Sequence, residues 1–165
     1  MSASPVDPAA VVATHAAFIT SGIAIDIAAR EADLTPRFGV GCGCRVDRAA
    51  GRVTVFTHRA QSWRLLAALA QVPAIAVTFG RPSDHRSLQL KGDDARIEAL
   101  APGDAECMRA YLAAFTADMA SFGASPALAV GYINLEVEAA VAISFAPRAA
   151  FDQTPGPGAG APLAS

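Results

Sequence analysis

The chain has 165 residues, 53% hydrophobic residues and a formal net charge of −2, which fit one domain with its own core and exclude a broad basic surface for nucleic acid. Charges or prolines interrupt every long apolar run, and the N-terminus has no basic segment, so we expect neither a membrane span nor a signal peptide. Three cysteines, an odd number, give no disulfide framework and favour a reducing, cytoplasmic location.

The N-terminal third predicts a helix followed by a strand. Residues 1–7 are expected to be a flexible lead-in, after which Asp7 and Pro8 are typical of a helix start. Apolar residues support this helix to about Thr20. Residues 23–28 then alternate isoleucine with alanine or aspartate, a period that indicates a strand.

The next strand, over residues 37–45, has an unusual composition. Glycine occupies every second position of its centre: Gly39, Gly41 and Gly43. Because strand side chains alternate, these glycines should share one face, with Cys42 and Cys44 on the other. A bare face packs poorly unless something lies close to it, and a helix, a second subunit or a flat cofactor ring would serve. We favour close protein packing. One Cys-x-Cys lacks the ligands of a zinc site, so we interpret both thiols as buried.

A strand-to-helix step at the centre of the chain is the first candidate site. Residues 52–57 alternate as a half-buried strand. Ser62 is a suitable N-cap, and an apolar stripe that includes Trp63 carries a helix to about Gln71. Unpaired N–H groups and the positive end of the helix dipole meet at such a step. Four side chains stand beside it and form a candidate phosphate site: Thr57, Arg59, Ser62 and Arg64.

A polar row on the second strand after this helix is the other candidate. Residues 74–79 predict a short buried strand, and residues 85–91 then alternate. Ser87, Gln89 and Lys91 should therefore share one face. Such a row is either a solvated sheet surface or a contact for a cofactor or substrate. Residues 92–100 are expected to carry this strand past a bend.

The C-terminal part predicts a helix over about 105–121 and a strand or hairpin within 127–145, where Ile133, Leu135 and Val137 alternate with polar residues. Residues 8–151 would form one domain. Residues 152–165, rich in Pro, Gly and Ala, are expected to be disordered. The element order is helix, three strands, helix, two strands, helix, strand. It fits a mainly β, antiparallel barrel with flanking helices.

These pieces together resemble the pyridoxamine 5'-phosphate oxidase-like, FMN-binding split β-barrel family. The matching segments are Phe56-Thr57, Ser62-Trp63-Arg64, Pro73, Ile75 to Phe79, and Arg86 to Gly92. The resemblance implies a split β-barrel that binds FMN, and a homodimer with cofactor sites at the subunit interface. The phosphate would then contact Thr57, Arg59, Ser62 and Arg64. Ser87, Gln89 or Lys91, of the same or of a second subunit, would contact the flavin ring.

Three departures separate the chain from the true pyridoxamine phosphate oxidases of that family. Val40 stands where their arginine would precede Arg45. Ser87 stands at their glutamine, with Gln89 two residues later. A Pro/Gly tail replaces their substrate-binding C-terminus. The chain is therefore not expected to be that oxidase.

Two functions follow. The first is an FMN-dependent oxidoreductase that acts on a small organic substrate or NAD(P)H by hydride transfer. The second is a non-catalytic binding protein for flavin, haem or another flat ligand, with His58 and His85 as the reason to consider haem. No residue is assigned as catalytic.

Overall fold

The computed structural model describes residues 7–163, so residues 1–6 of the predicted lead-in lie outside it. The helices are α1 (Pro8–Ile19), α2 (Trp63–Gln71), α3 (Asp104–Ala120) and α4 (Pro126–Ile133). The strands are β1 (Ala24–Arg30), β2 (Pro36–Asp47), β3 (Arg52–His58), β4 (Ile75–Gly80), β5 (Ser87–Gly92), β6 (Arg96–Glu98), β7 (Ala140–Phe145) and β8 (Ala149–Asp152). No helix within residues 7–163 is both long and apolar enough to cross a bilayer.

The strands form one antiparallel sheet in the order β6-β7-β3-β2-β1-β4-β5-β8. This confirms the predicted mainly β fold with flanking helices. Within residues 7–163 the edge strands β6 and β8 do not pair with each other, so backbone hydrogen bonds do not close the barrel. We call β6-β7-β3-β2 and β1-β4-β5-β8 the two halves of the sheet. The chain passes between them from β5 to β6 and from β7 to β8, among other crossings.

The core lies on the inner face of this sheet. Ile27, Val77 and Leu90 are neighbours across β1, β4 and β5 and are fully buried. Leu65 of α2 and Met108 of α3 are also fully buried in this core. The opposite face of the same strands, which we call the outer face, is only partly covered and carries the predicted polar row.

The three glycines of β2 do not share one face, contrary to the prediction. A β-bulge shifts the β2–β3 register within residues 41–44, which breaks the side-chain alternation. A Cβ on Gly39 would lie 2.8 Å from atoms of Leu65 in α2, whereas one on Gly43 would lie 3.2 Å from Met108 in α3. Both glycines therefore allow a helix to approach β2 closely, as the packing interpretation expected.

Residues 133–138 are not a strand, and this prediction is wrong. Ser125 caps α4, accepting a hydrogen bond from the Leu128 amide at 3.3 Å. The helix ends at Asn134, in the left-handed region (φ 45°). A 3₁₀ turn follows at Val137–Ala139, so the last long strand begins only at Ala140.

Residues 92–100 also differ from the expected continuation of β5. The chain bends after Gly92 and forms the separate strand β6, which pairs with β7 in the other half of the sheet. A Cβ on Gly92 would lie 2.8 Å from the Ala146 carbonyl oxygen, so the bend depends on the missing side chain.

The described part of the tail runs back along β8. The Asp152 amide donates to the Ala161 carbonyl at 2.9 Å, and the Leu163 amide donates to the Ala150 carbonyl at 2.8 Å. The returning backbone covers the free edge of β8, a position that otherwise exposes unpaired N–H and C=O groups. Pro and Gly content alone did not indicate this edge, because it is created by the sheet order.

Candidate functional site

The strand-to-helix step between β3 and α2 is held by two buried hydroxyls. Thr57 Oγ1 donates to the Val40 carbonyl oxygen at 2.8 Å and lies 2.6 Å from Ser62 Oγ. Since the Thr57 proton goes to Val40, Ser62 is the donor to Thr57. The two residues are 0% and 2% exposed. Their hydroxyls fix the position of the helix start and do not face solvent.

The same step presents two arginines to solvent, Arg59 and Arg64. Ser62 occupies the N-cap position but makes no side-chain cap bond. The first-turn amides of α2 therefore lack the usual side-chain acceptor. Arg64 lies over the Trp63 ring, 5.0 Å from its centroid. Trp63 is 59% exposed, so its predicted place in the apolar stripe is wrong.

The polar row lies on the outer face of β5, as predicted. Ser87, Gln89 and Lys91 are half-buried and alternate with buried residues. The Gln89 side-chain amide donates to Thr78 Oγ1 at 3.1 Å, and the Ser87 hydroxyl donates to the His85 carbonyl oxygen at 3.0 Å. Lys91 Nζ lies 4.6 Å from the centroid of the Phe151 ring. Each member of the row thus has a contact within the chain.

The structure does not bring the two candidate sets together within one chain. Four strand spacings separate β3 from β5 in the sheet, about 19 Å at the usual spacing. The sets also use opposite faces, because Thr57 is turned to the interior and the polar row to the outer face. One chain therefore does not form a single pocket from all seven residues.

A carboxylate that the sequence did not single out lies in line with the polar row. Val40, Asp26, Thr78 and Gln89 are neighbours across β2, β1, β4 and β5. Burial raises the pKa of Asp26, and a hydrogen bond with Tyr132 partly offsets this. The alternation of β1 placed Asp26 away from the core, but only the position of α4 brings Tyr132 to it.

The surroundings of the three cysteines disfavour the reactive thiolate form. Burial raises the pKa of Cys42 to about 12 and raises the pKa of Cys44 well above the usual range. Burial, followed by the nearby Asp104 carboxylate, also raises the pKa of Cys107. Because the reactive form is the thiolate, the interpretation of Cys42 and Cys44 as buried packing residues agrees with their surroundings.

His58 and His85, the histidines that suggested haem, lie in different parts of the fold, at the end of β3 and in the loop between β4 and β5. His58 Nε2 lies 3.5 Å from a carboxylate oxygen of Glu136. His85 is on the exposed loop between β4 and β5, in the left-handed region (φ 60°). Residues 7–163 contain no group of three or more metal-ligating side chains.

Comparisons with known proteins give matches in structure only. No protein-family model and no curated protein sequence matches the chain. HupZ from Group A Streptococcus matches with a TM-score of 0.50 and 15% identity, over 86% of this chain and 94% of HupZ. An F420 reductase matches with a TM-score of 0.51 and 16% identity, over 81% of this chain and 93% of that protein. A pyridoxamine 5'-phosphate oxidase-related, FMN-binding protein from Nostoc punctiforme gives a TM-score of 0.47 and 13% identity, over 93% and 87%.

The strand order and the first two of these matches define the class of fold. The chain has the split β-barrel fold of the pyridoxamine 5'-phosphate oxidase-like proteins, with the sheet left open between β6 and β8. At these identities the likeness shows the fold alone.

Proposed function

We propose that this protein binds FMN and is an oxidoreductase that acts on a small organic substrate or NAD(P)H. The observation that carries the proposal is the start of α2, where Arg59 and Arg64 are exposed and Ser62 makes no side-chain cap bond, within a split-barrel fold. A phosphate monoester needs cationic and N–H donors, and a helix start supplies both the donors and a favourable dipole. When bound, FMN would supply the hydride-transfer chemistry.

The four predicted phosphate residues would then divide into two roles. Arg59 and Arg64 would bind the phosphate directly, because their side chains are exposed. Thr57 and Ser62 would act indirectly, because their hydrogen bonds to each other and to Val40 fix where the helix begins. The chain would thus contribute binding and orientation.

The flavin ring would be held between two copies of the chain. The outer face carries the polar row of Ser87, Gln89 and Lys91 and also Phe38, which is 61% exposed. Within one chain this row lies far from the start of α2. A homodimer in which the outer face of one copy meets the α2 start of the other would let a second copy supply it. Light scattering after size exclusion should give twice the chain mass, and a monomer would contradict this part of the proposal.

The cofactor is tested by a visible spectrum of the purified protein and by titration with FMN and, in parallel, F420, followed by flavin fluorescence. Saturation at one FMN per chain supports the proposal.

Arg64→Ala should weaken FMN binding by about 1.5 to 3 kcal/mol if Arg64 makes a charge-assisted hydrogen bond to the phosphate. The control is Arg48→Ala, in the exposed turn between β2 and β3. Equal affinities of the two variants would remove Arg64 from the site.

A non-catalytic binding protein is the second candidate. The burial of Thr57 and Ser62 favours it, because it leaves the phosphate fewer direct side-chain contacts. Such a protein would bind FMN without oxidising NAD(P)H. A Soret band in the purified protein would instead indicate haem, and a colourless protein that ignores FMN and F420 would contradict flavin binding altogether.

A further inference from the structure

A cleft at one end of the outer face, on the opposite side of the sheet from Ser62 at the start of α2, is lined by an excess of positive charge. It lies where β1 ends and β4 begins, has a volume of about 320 Å³ and includes three cations, Arg30, Lys91 and Arg148. Asp93 is the only carboxylate in its lining. We propose that this cleft binds a small organic anion, a carboxylate or phosphate attached to a flat apolar body.

The strand register explains how the cleft is built. Ala28, Ala76 and Lys91 are neighbours across β1, β4 and β5 on the outer face. Arg30 lies two residues beyond Ala28 and therefore points to the same face. Between them lie Ala74, just before β4, and Ala76 of β4, whereas the Ile75 side chain is buried in the core, so the floor of the cleft is low. The two cationic side chains flank it from strands about 10 Å apart.

The cations of the cleft are only partly neutralised. Arg148 forms an ion pair with Asp93, and its amide donates to the Lys91 carbonyl oxygen at 2.8 Å, which ties the two cationic residues together. Within residues 7–163 no acidic side chain pairs with Arg30 or Lys91. Three positive charges against one negative charge favour an anion here, although the whole chain is slightly acidic.

The walls indicate the rest of the ligand. Alanines form a flat apolar floor, and the exposed Phe38 is the next residue in the row of Ala28 and Ala76. A planar ring can lie on such a surface, with its anionic group between Arg30 and Lys91. Arginine offers paired donors that match a carboxylate or a phosphate.

The proposal does not rest on FMN binding. The experiment is calorimetric titration of the whole protein with 2-naphthoate and 2-naphthyl phosphate, which present the two anionic groups on one apolar body, and with uncharged 2-naphthamide. We expect one anion per chain to bind at least tenfold more tightly than the amide, and more weakly at 0.5 M salt. The tighter of the two anions identifies the preferred group. Amide binding equal to that of both anions would overturn the proposal.

Variants at Arg30 test the location. Arg30→Gln should weaken anion binding about three- to tenfold, and Arg30→Lys should restore most of it. The matched control, Arg48→Gln, removes an exposed arginine outside the cleft and should change nothing. Equal loss in the Arg30 and Arg48 variants would overturn the proposal. Failure of FMN to bind leaves these outcomes unchanged.

Discussion

At the scale of single residues, the candidate phosphate site divides into buried and exposed members. Thr57 and Ser62 are of residue types that contact phosphates, but their hydroxyls are buried and form hydrogen bonds within the protein. Arg59 and Arg64 have long side chains that remain in solvent. The first pair therefore affects stability, whereas the second pair is exposed and available to a ligand.

Replacing Thr57 by valine should reduce stability by about 1 to 3 kcal/mol. The substitution keeps the shape but removes the bond to Val40 and leaves the buried Ser62 hydroxyl without its acceptor. Urea denaturation gives the change in the free energy of unfolding. Thr116→Val is the control, because the Thr116 hydroxyl only bonds back to Leu112 within α3. Its effect should stay within about 0.5 kcal/mol, and an equal loss in both variants would contradict the role of the Thr57–Ser62 pair.

The thiols give a second prediction at this scale. Because burial raises the pKa values of Cys42, Cys44 and Cys107, the native protein should react slowly with Ellman's reagent at pH 8. In denaturant all three thiols should react at the rate of an ordinary exposed cysteine. Fast reaction of Cys42 or Cys44 in the native protein would show that the strand carrying them is accessible.

At the scale of elements, the contact between β2 and α2 positions the candidate site. Gly39 gives α2 room to approach, and the approach places Ser62 against Thr57. The glycine-rich strand thus serves packing against a helix at Gly39 and Gly43. No flat ligand is needed to explain these two positions.

Gly39→Ala should destabilise the protein by about 1 to 3 kcal/mol. Its Cβ would lie 2.8 Å from both the Ser62 hydroxyl and the Leu65 side chain, so the helix must shift. The matched control is Gly131→Ala in α4, where no atom lies within 4 Å of the added Cβ. There alanine should be neutral or stabilise by up to about 1 kcal/mol. Chemical denaturation compares the free energies of unfolding of the two variants. If Gly39→Ala is as stable as the control, close packing of α2 does not explain Gly39, and a ligand on this face becomes the better explanation.

At the scale of the whole molecule, one polar cluster ties the two halves of the open barrel. Arg52 of β3 donates to Asp94 at 2.5 Å and to Ser144 Oγ of β7 at 2.9 Å. Asp94, on the passage from β5 to β6, also accepts a hydrogen bond from the Ala146 amide at 2.8 Å. These side-chain contacts, in addition to the strand pairing, therefore fix the segment that links β5 to β6.

Asp94→Asn should destabilise the protein at neutral pH and less so in acid. Burial alone would raise the pKa of Asp94, but the Ala146 amide and the Arg52 guanidinium outweigh it and lower the pKa. A lowered folded-state pKa contributes stability above the unfolded pKa, and that stability is lost as the pH falls through the folded value. Thermal denaturation should show a difference in melting temperature between wild type and variant that is smaller at pH 3 than at pH 7.

Glu98→Gln, an exposed change on β6, is the control for Asp94 and should leave the melting temperature nearly unchanged at both pH values. If the melting-temperature difference between wild type and Asp94→Asn stays constant or increases in acid, the assigned carboxylate contacts are contradicted.

Period and cap signals in the sequence predicted most elements, because these signals are local. The isoleucines of β1, the Asp7-Pro8 start of α1 and the alternation of β5 all give the observed elements. The strand predicted around Ile133 failed because alternating apolar residues also occur in a short helix followed by a 3₁₀ turn.

The sequence by itself determined the mainly β class, the strand-to-helix step with its two arginines, and the polar face of β5, since each follows from neighbours along the chain. Only the tertiary structure decided that Thr57 and Ser62 are buried, that the polar row lies four strands away on the opposite face, and that Arg30, Lys91 and Arg148 meet in one cleft. These features depend on the bulge in β2 and on the order in which distant strands pair, and no short stretch of sequence encodes that order.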